Sequence, residues 1–288
     1  MGGLEALGFY LYGPATGTTV PVDWNTYGWG TPAWNKVLSA AASAAQKNDM
    51  LLDLPLGPSQ GAGVPAEPDD EGLEWDLVYE TTTLATCKGT QKLPGWGRGT
   101  LQAAVVGKLI SNTSAIGPGN SLPISNDNVD GQHYLAVLSA QSLQDVTKSV
   151  SSTGVVTLSD CPAPAVAGNT TLFAFYLTKT GQRAVNSPLD LAGPQTAPTD
   201  FIHNGSWVVD HFSAKGAQTT IGFWNTHILN DATLKSLLQS VGNYFWEDSS
   251  EIAPTIYWTK DLLKAFNNKR GYSLNLSLIH ISEPTRPY

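Results

Sequence analysis

Residues Thr31–Leu56 read T-P-A-W-N-K-V-L-S-A-A-A-S-A-A-Q-K-N-D-M-L-L-D-L-P-L. Thr31 is a good N-cap, and Pro32 falls at the first helical position, where its missing N–H costs nothing. Trp34, Val37, Leu38, Ala41 and Ala45 recur at helical spacing, so one apolar face is expected, ending near Lys47-Asn48. Met50–Leu56 follows as a short apolar strand. Upstream, Leu4–Tyr12 is apolar and aromatic on both faces, the pattern of a strand in a buried parallel sheet. Gly13–Trp29, rich in Gly, Pro and Thr, is a loop. Strand, loop, helix, strand is a βαβ unit, and it favours a parallel sheet or barrel.

Beyond Gly57 the pattern changes. The loop G-P-S-Q-G-A-G-V-P-A-E-P leads into an acidic segment that ends at Glu74. Short β-type runs then follow at Trp75–Thr83, Leu101–Ile110, Tyr134–Ser139, Gly154–Leu158 and Thr171–Thr178, separated by turn signals. Regular spacing without helical periodicity predicts a β-sandwich-like insertion with an architectural role. Helical patterning returns after Trp207–His211, at Ala217–Leu229 and Ala232–Val241. Asn243–Trp246 is strand-like, and Thr259 is placed to cap a helix bearing Leu262, Leu263 and Phe266, stopped by Gly271. The expected fold is α/β: an incomplete (β/α) barrel of TIM type interrupted by that insertion. Its parts are 1–74 (first part of the barrel), 75–200 (insertion) and 201–275 (barrel continuation). There are too few strands here to close a barrel.

Leu276–Arg286, L-S-L-I-H-I-S-E-P-T-R, resembles a translated sequencing adapter, so 276–288 is read as a non-native tail. His280 and Glu283 then carry no functional weight, and the Asn275 sequon, which needs Ser277, falls with them. At the other end Met1-Gly2-Gly3 runs straight into strand-like sequence without a signal peptide. The chain therefore reads as an internal piece of a longer protein.

Composition narrows the function classes. The 288 residues hold only 14% charged side chains but 9 Trp, 28 Gly and 18 Pro, a balance typical of secreted carbohydrate-active proteins. The net charge of −8 and the lack of a Lys/Arg cluster argue against nucleic acid as a partner. No apolar run reaches the roughly 18 residues of a membrane span. Cys87 and Cys161 are the only cysteines. They are either one disulfide in an oxidising compartment or two buried thiols. Sequons at Asn112, Asn169 and Asn204 suit a glycosylated extracellular protein. No phosphate-binding Gly loop, G-x-S-x-G elbow or Ser-His-Asp order is present.

The chemistry concentrates in Tyr244–Glu251, Y-F-W-E-D-S-S-E, where carboxylates follow an aromatic strand. Aromatic faces stack on sugar rings while carboxylates bind hydroxyls or move protons. An acidic turn entering a helix N-terminus is the plainer alternative. Glu251 is the candidate catalytic carboxylate and Asp248 its orienting partner. Glu247, Trp246, Asp210, His211, Asp23, Trp24 and Glu67 are candidate substrate-binding residues. An inverting glycosidase holds its two carboxyls roughly 6.5–9.5 Å apart. Glu247 and Glu251 would lie about 13 Å apart in an extended chain, so the second acid is expected from another strand end. Asp210, Glu67 or a residue outside this chain are the alternatives. His227 reads as a core histidine, and His133 and His203 form no metal-ligand spacing. Asp69, Asp70 and Glu71 read as a solvated acidic loop without EF-hand spacing.

Several segments together resemble a known family: the G-G-L-E opening, Y-G-W-G-T-P-A-W, G-P-S-Q-G-A-G-V-P-A-E-P, V-V-D-H-F-S-A-K-G and E-D-S-S-E with the later R-G-Y. They are similar to fungal secreted proteins related to glycoside hydrolase family 106, the α-L-rhamnosidases. The resemblance runs from residue 2 to about 275 and is least specific in the β-rich middle. It implies a (β/α) barrel with β insertions, inverting hydrolysis of terminal α-L-rhamnose from plant or microbial glycosides, and a calcium-assisted site. The family pattern D-S-[WY]-E falls on Asp248, Ser249, Ser250 and Glu251, with Ser in place of the aromatic. G-L-E-V-D-[KH] falls on Ser206 to His211, with Val208 in place of Glu. T-P-E has a loose counterpart in Pro65-Ala66-Glu67. These departures admit a second function class, a non-catalytic carbohydrate-binding or cell-wall protein on a degenerate glycosidase scaffold.

Overall fold

A computed structural model describes residues 2–5, 28–58, 61–116, 132–160, 169–182, 206–248, 252 and 254–278. In chain order the first elements are β1 (Gly2–Glu5), α1 (Pro32–Lys47), β2 (Met50–Pro55), β3 (Gly63–Pro65), β4 (Trp75–Thr83) and β5 (Gly89–Lys92). Next come β6 (Thr100–Ile116), β7 (Gln132–Leu138), β8 (Gln144–Asp145), β9 (Val155–Leu158), β10 (Asn169–Lys179) and β11 (Ser206–Val208). The chain continues with α2 (Ala214–Phe223), a π-helical turn (Trp224–Ile228), α3 (Ala232–Val241), β12 (Gly242–Trp246), β13 (Tyr257–Trp258) and α4 (Leu262–Arg270). These elements form two compact units, Met1–Glu74 with Gly181–Ile252, and Trp75–Thr180 with Ala253–Tyr288.

The first unit is built on a three-stranded parallel sheet in the order β1-β2-β12. No closed barrel occurs among the described residues; the architecture is mixed α/β. Leu52 and Leu54 of β2 are buried in a core with Leu38, Ala42 and Ala45 of α1 and with Leu234, Leu238 and Val241 of α3. Thr31 caps α1 as its sequence implies, its Oγ1 accepting the Trp34 N–H at 3.3 Å. The buried stripe differs from the expected one. Val37 is 67% exposed, and Ala42 rather than Ala41 faces the core. Ala42 and Ala45 are fully buried, small side chains that fit where helices and sheet approach closely. α3 passes into β12 with no loop. At the join, a Cβ on Gly242 would stand 2.5 Å from the Leu238 carbonyl oxygen.

The second unit is a six-stranded antiparallel sheet, β13-β4-β10-β6-β7, with β8 also on β6. Strand periodicity explains its two cores. Along β10, Phe173, Phe175 and Leu177 point into one apolar cluster, while Leu172, Ala174 and Tyr176 point into another. The β5–β9 ribbon contributes Val156 and Leu158 to the second cluster. α4 lays Leu262 and Leu263 against the first. The Tyr176 hydroxyl donates to the Pro94 carbonyl at 2.6 Å. Burial, with the Glu80 carboxylate nearby, pushes this phenol up to about 12. Cys87, in this unit, is disulfide-bonded; Cys161 lies outside the described residues.

Two expectations change here. The segment after 253 does not continue the βα pattern: β13 pairs with β4, which carries α4 into the second unit. The cap of α4 is Asp261, not Thr259, whose carbonyl accepts the Leu262 N–H; the helix ends on Gly271 at φ +78 as expected. Leu278 is fully buried in the same core, so the chain takes part in the fold beyond 276. Of Leu4–Tyr12 only the portion to Glu5 is described, as β1.

Candidate functional site

The carboxyl ends of the parallel strands are where open α/β sheets place ligands, because the connecting loops converge there. β2 ends at Pro55, paired with Trp246 at the end of β12. The two strand exits are pinned together by the Leu56 N–H on the Trp246 carbonyl at 2.8 Å and the Trp224 indole N–H on the Leu56 carbonyl at 2.6 Å. Glu247 is therefore the first residue beyond a strand end.

The Gly-rich loop after β2 folds back over this point. A Cβ on Gly61, at φ +89, would lie 3.0 Å from the Trp246 carbonyl oxygen and 3.2 Å from Glu247 Cα. One on Gly63 would sit 2.0 Å from the Trp207 carbonyl oxygen. Glycine is needed at both positions because backbone meets backbone. β3 then pairs antiparallel with β11. On the other side of β11, Glu74 donates its N–H to the Val208 carbonyl and Asp210 donates its own to the Gly72 carbonyl.

The segment Val208–Asp210 is thus held on both sides, and each residue of V-V-D-H-F-S-A-K-G has a local task. Asp210, 2% exposed, accepts the Phe212 N–H on Oδ1 at 2.9 Å and so turns the chain. Ser213 caps α2 by accepting the Gly216 N–H. Gly216 lets α2 approach, since a Cβ there would lie 2.1 Å from the Asp210 carbonyl oxygen. His211 is left projecting. Its Nδ1 meets the Val209 carbonyl at 2.7 Å and its Nε2 meets Glu247 Oε1 at 2.8 Å.

A carbonyl can only accept, so Nδ1 carries a proton, and the carboxylate favours a second one on Nε2. The hydrogen bond to Glu247 raises the imidazole above its ordinary value of 6.5, with further help from Glu247's charge, the Val209 carbonyl and the Glu74 charge. Burial opposes this without reversing it. The arrangement is an imidazolium–carboxylate pair whose side chains are 19% and 20% exposed. It can hold a fixed negative charge beside a ligand, or pass a proton.

Of the sequence candidates, the structure brings together Asp210, His211, Trp246 and Glu247. Trp246 is half-buried, and its Nε1 has no hydrogen-bond partner. Asp248 is exposed at the tip. Glu67 is exposed in a turn closed by the Asp70 N–H on its carbonyl, and among the described residues no hydrogen bond or ion pair joins it to His211 or Glu247. Glu251, Asp23, Trp24 and Asn204 lie outside the described residues. Asn169 is exposed at the start of β10, and Asn112 lies on β6. Glu74 was not singled out from the sequence. It is 4% exposed, and its place at the end of a long acidic stretch hid that burial. Among the described residues no group of three or more His, Cys, Asp or Glu side chains is arranged to hold a metal. The acids at this site are committed to His211 and to the Phe212 N–H, so they do not form a calcium cage.

No model of a known protein family matches the chain, and no curated protein does. Among solved structures the chain is similar to a rhamnosidase from Novosphingobium sp. PP1Y, with a TM-score of 0.51 at 13% identity. That similarity covers 97% of this chain and 38% of the rhamnosidase, so the chain spans well under half of that protein's length. At this identity the likeness concerns the fold, an α/β architecture found in a glycosidase.

Proposed function

We propose that the chain is part of a secreted glycoside hydrolase of α-L-rhamnosidase type, built on a TIM-type (β/α) barrel. The observation that carries this reading is Glu247, fixed by His211 at the exit of a parallel strand and flanked by Trp246. Glu247 offers a sugar hydroxyl a carboxylate whose direction is set by the imidazolium. Glu251 supplies the catalytic carboxyl, with Asp248 orienting it or binding a hydroxyl, and Trp246 gives the sugar an apolar wall. Inverting hydrolysis needs a proton delivered to the leaving oxygen and a water deprotonated on the opposite face. The fold likeness to a rhamnosidase supports the class. The disulfide-bonded Cys87 and the exposed Asn169 sequon support an extracellular setting.

Hydrolysis of 4-nitrophenyl α-L-rhamnoside tests the reading. Glu251→Gln is expected to lower kcat by about 10²–10⁴-fold, the usual worth of a general acid or base. Equal rates in the two proteins would remove Glu251 from the mechanism. Rhamnoside binding without turnover in the unaltered protein would favour the non-catalytic carbohydrate-binding alternative.

A further inference from the structure

A trough of about 290 Å³ runs along one side of α2 and the π-helical turn in the first unit, and shares no residue with the His211–Glu247 pair. Lys215, Gln218, Thr219, Thr226 and His227 line it at helical spacing, and Asp70 faces them from the loop after β3. Asp70 is held in place: its Oδ1 accepts the Gly72 N–H at 2.7 Å and the Thr219 hydroxyl at 2.9 Å. His227 is fixed from two directions. Its ring stacks on Phe223 at 4.8 Å, and its carbonyl accepts the Asn35 side-chain N–H at 2.6 Å. The π-turn is independent of these contacts. The Leu229 N–H reaches back to the Trp224 carbonyl at 2.7 Å, the wide helical geometry that recurs at functional sites.

We propose that this trough is a second saccharide subsite that takes one neutral sugar unit. The volume sits at the lower end of small-molecule pockets, which run roughly 300–1,000 Å³. A cation (Lys215) and a carboxylate (Asp70) balance one another across it, which suits a neutral polyol and disfavours a uronate or phosphate. Amide, hydroxyl and imidazole groups at Gln218, Thr226 and His227 match a ring of hydroxyls, with Phe223 and Pro65 as the apolar contribution. The floor is Gly222, where an added Cβ would meet nothing within 4 Å. The proposal rests on the carbohydrate reading above and extends it to a second point of contact with the glycan.

Gly222 gives a direct test. Gly222→Leu fills the trough from a helical position with open space, so the fold is retained. L-Rhamnose is titrated into isotope-labelled protein while backbone amide shifts are followed. The amides of Gln218, Thr226 and His227 are expected to move in the unaltered protein and in Glu247→Gln, with at least a tenfold weaker response in Gly222→Leu. Unmoved amides, or the same titration in Gly222→Leu, would overturn the subsite. Turnover of the aryl rhamnoside, measured alongside, reports on the hydrolase reading separately. Shifts without turnover would sink the hydrolase and keep the trough, and turnover without shifts would do the reverse.

Discussion

His211 and His227 lie in the same unit and titrate in opposite directions. For His211 the partner is a carboxylate, so the folded protein binds the proton more tightly than the unfolded chain. Its contribution is fully present below about pH 6.5 and is lost as pH rises through the raised folded value. For His227 burial holds the imidazole below 6.5, so the unfolded chain takes up the proton first and stability falls as pH drops beneath that point. Denaturant midpoints measured across pH 5–9 check both. His211→Gln is expected to remove the alkaline decline and His227→Gln the acid one. Glu247→Gln is expected to lower stability at pH 6 by about 1.5–3 kcal/mol, the worth of a hydrogen bond to a charged group. In the other unit, Tyr176→Phe leaves the Pro94 carbonyl without its donor and is expected to cost about 1–3 kcal/mol in urea unfolding.

At the scale of elements, backbone proximity separates glycines that composition alone treats as equals. Gly63→Ala forces a Cβ to within 2.0 Å of the Trp207 carbonyl and must spread β3 from β11. A loss of about 2–4 kcal/mol is expected, with displaced amide resonances at Val208 and Asp210. Gly222→Ala meets open space inside a helix and is expected to gain about 0.5–1 kcal/mol. A similar penalty for both would mean the loop relaxes and the contact is not needed. Much of the element order was legible, because local rules govern it. Thr31-Pro32 announces α1, and the continuous apolar run Leu172–Leu177 announces a strand buried on both faces. The His211–Glu247 pair was half legible. Both residues drew notice as polar groups at strand ends, but their meeting depends on a fold-back from Gly57 to Gly63 that has no periodicity to read. Glu74 was illegible for the same reason, since its burial comes from β11 arriving from a distant part of the sequence. The π-turn hid inside an ordinary helical pattern, and α4 looked like the next βα step until β13 paired with β4.

At the scale of the whole chain, the two units draw on different stabilising devices, and a covalent one belongs to the second. Cys87 is disulfide-bonded, the chain's other cysteine is Cys161, and both positions fall within the span Trp75–Thr180. A bridge closing a loop of that order constrains the unfolded chain by about 3–5 kcal/mol in the entropic account, less any strain it imposes. The first unit has no such device: its cohesion comes from Leu52, Leu54, Leu234 and Leu238 packed between sheet and helices. Reduction with dithiothreitol should therefore act unevenly. Hydrogen exchange read by mass spectrometry is expected to quicken in peptides from β4, β6 and β10, while peptides from α1 and β2 keep their protection. Leu52→Ala should reverse that pattern, costing about 2–5 kcal/mol in the first unit and sparing β10. If reduction loosened α1 and β2 as strongly as β10, the units would unfold as one, and the assignment of separate cores to separate stabilities would fail.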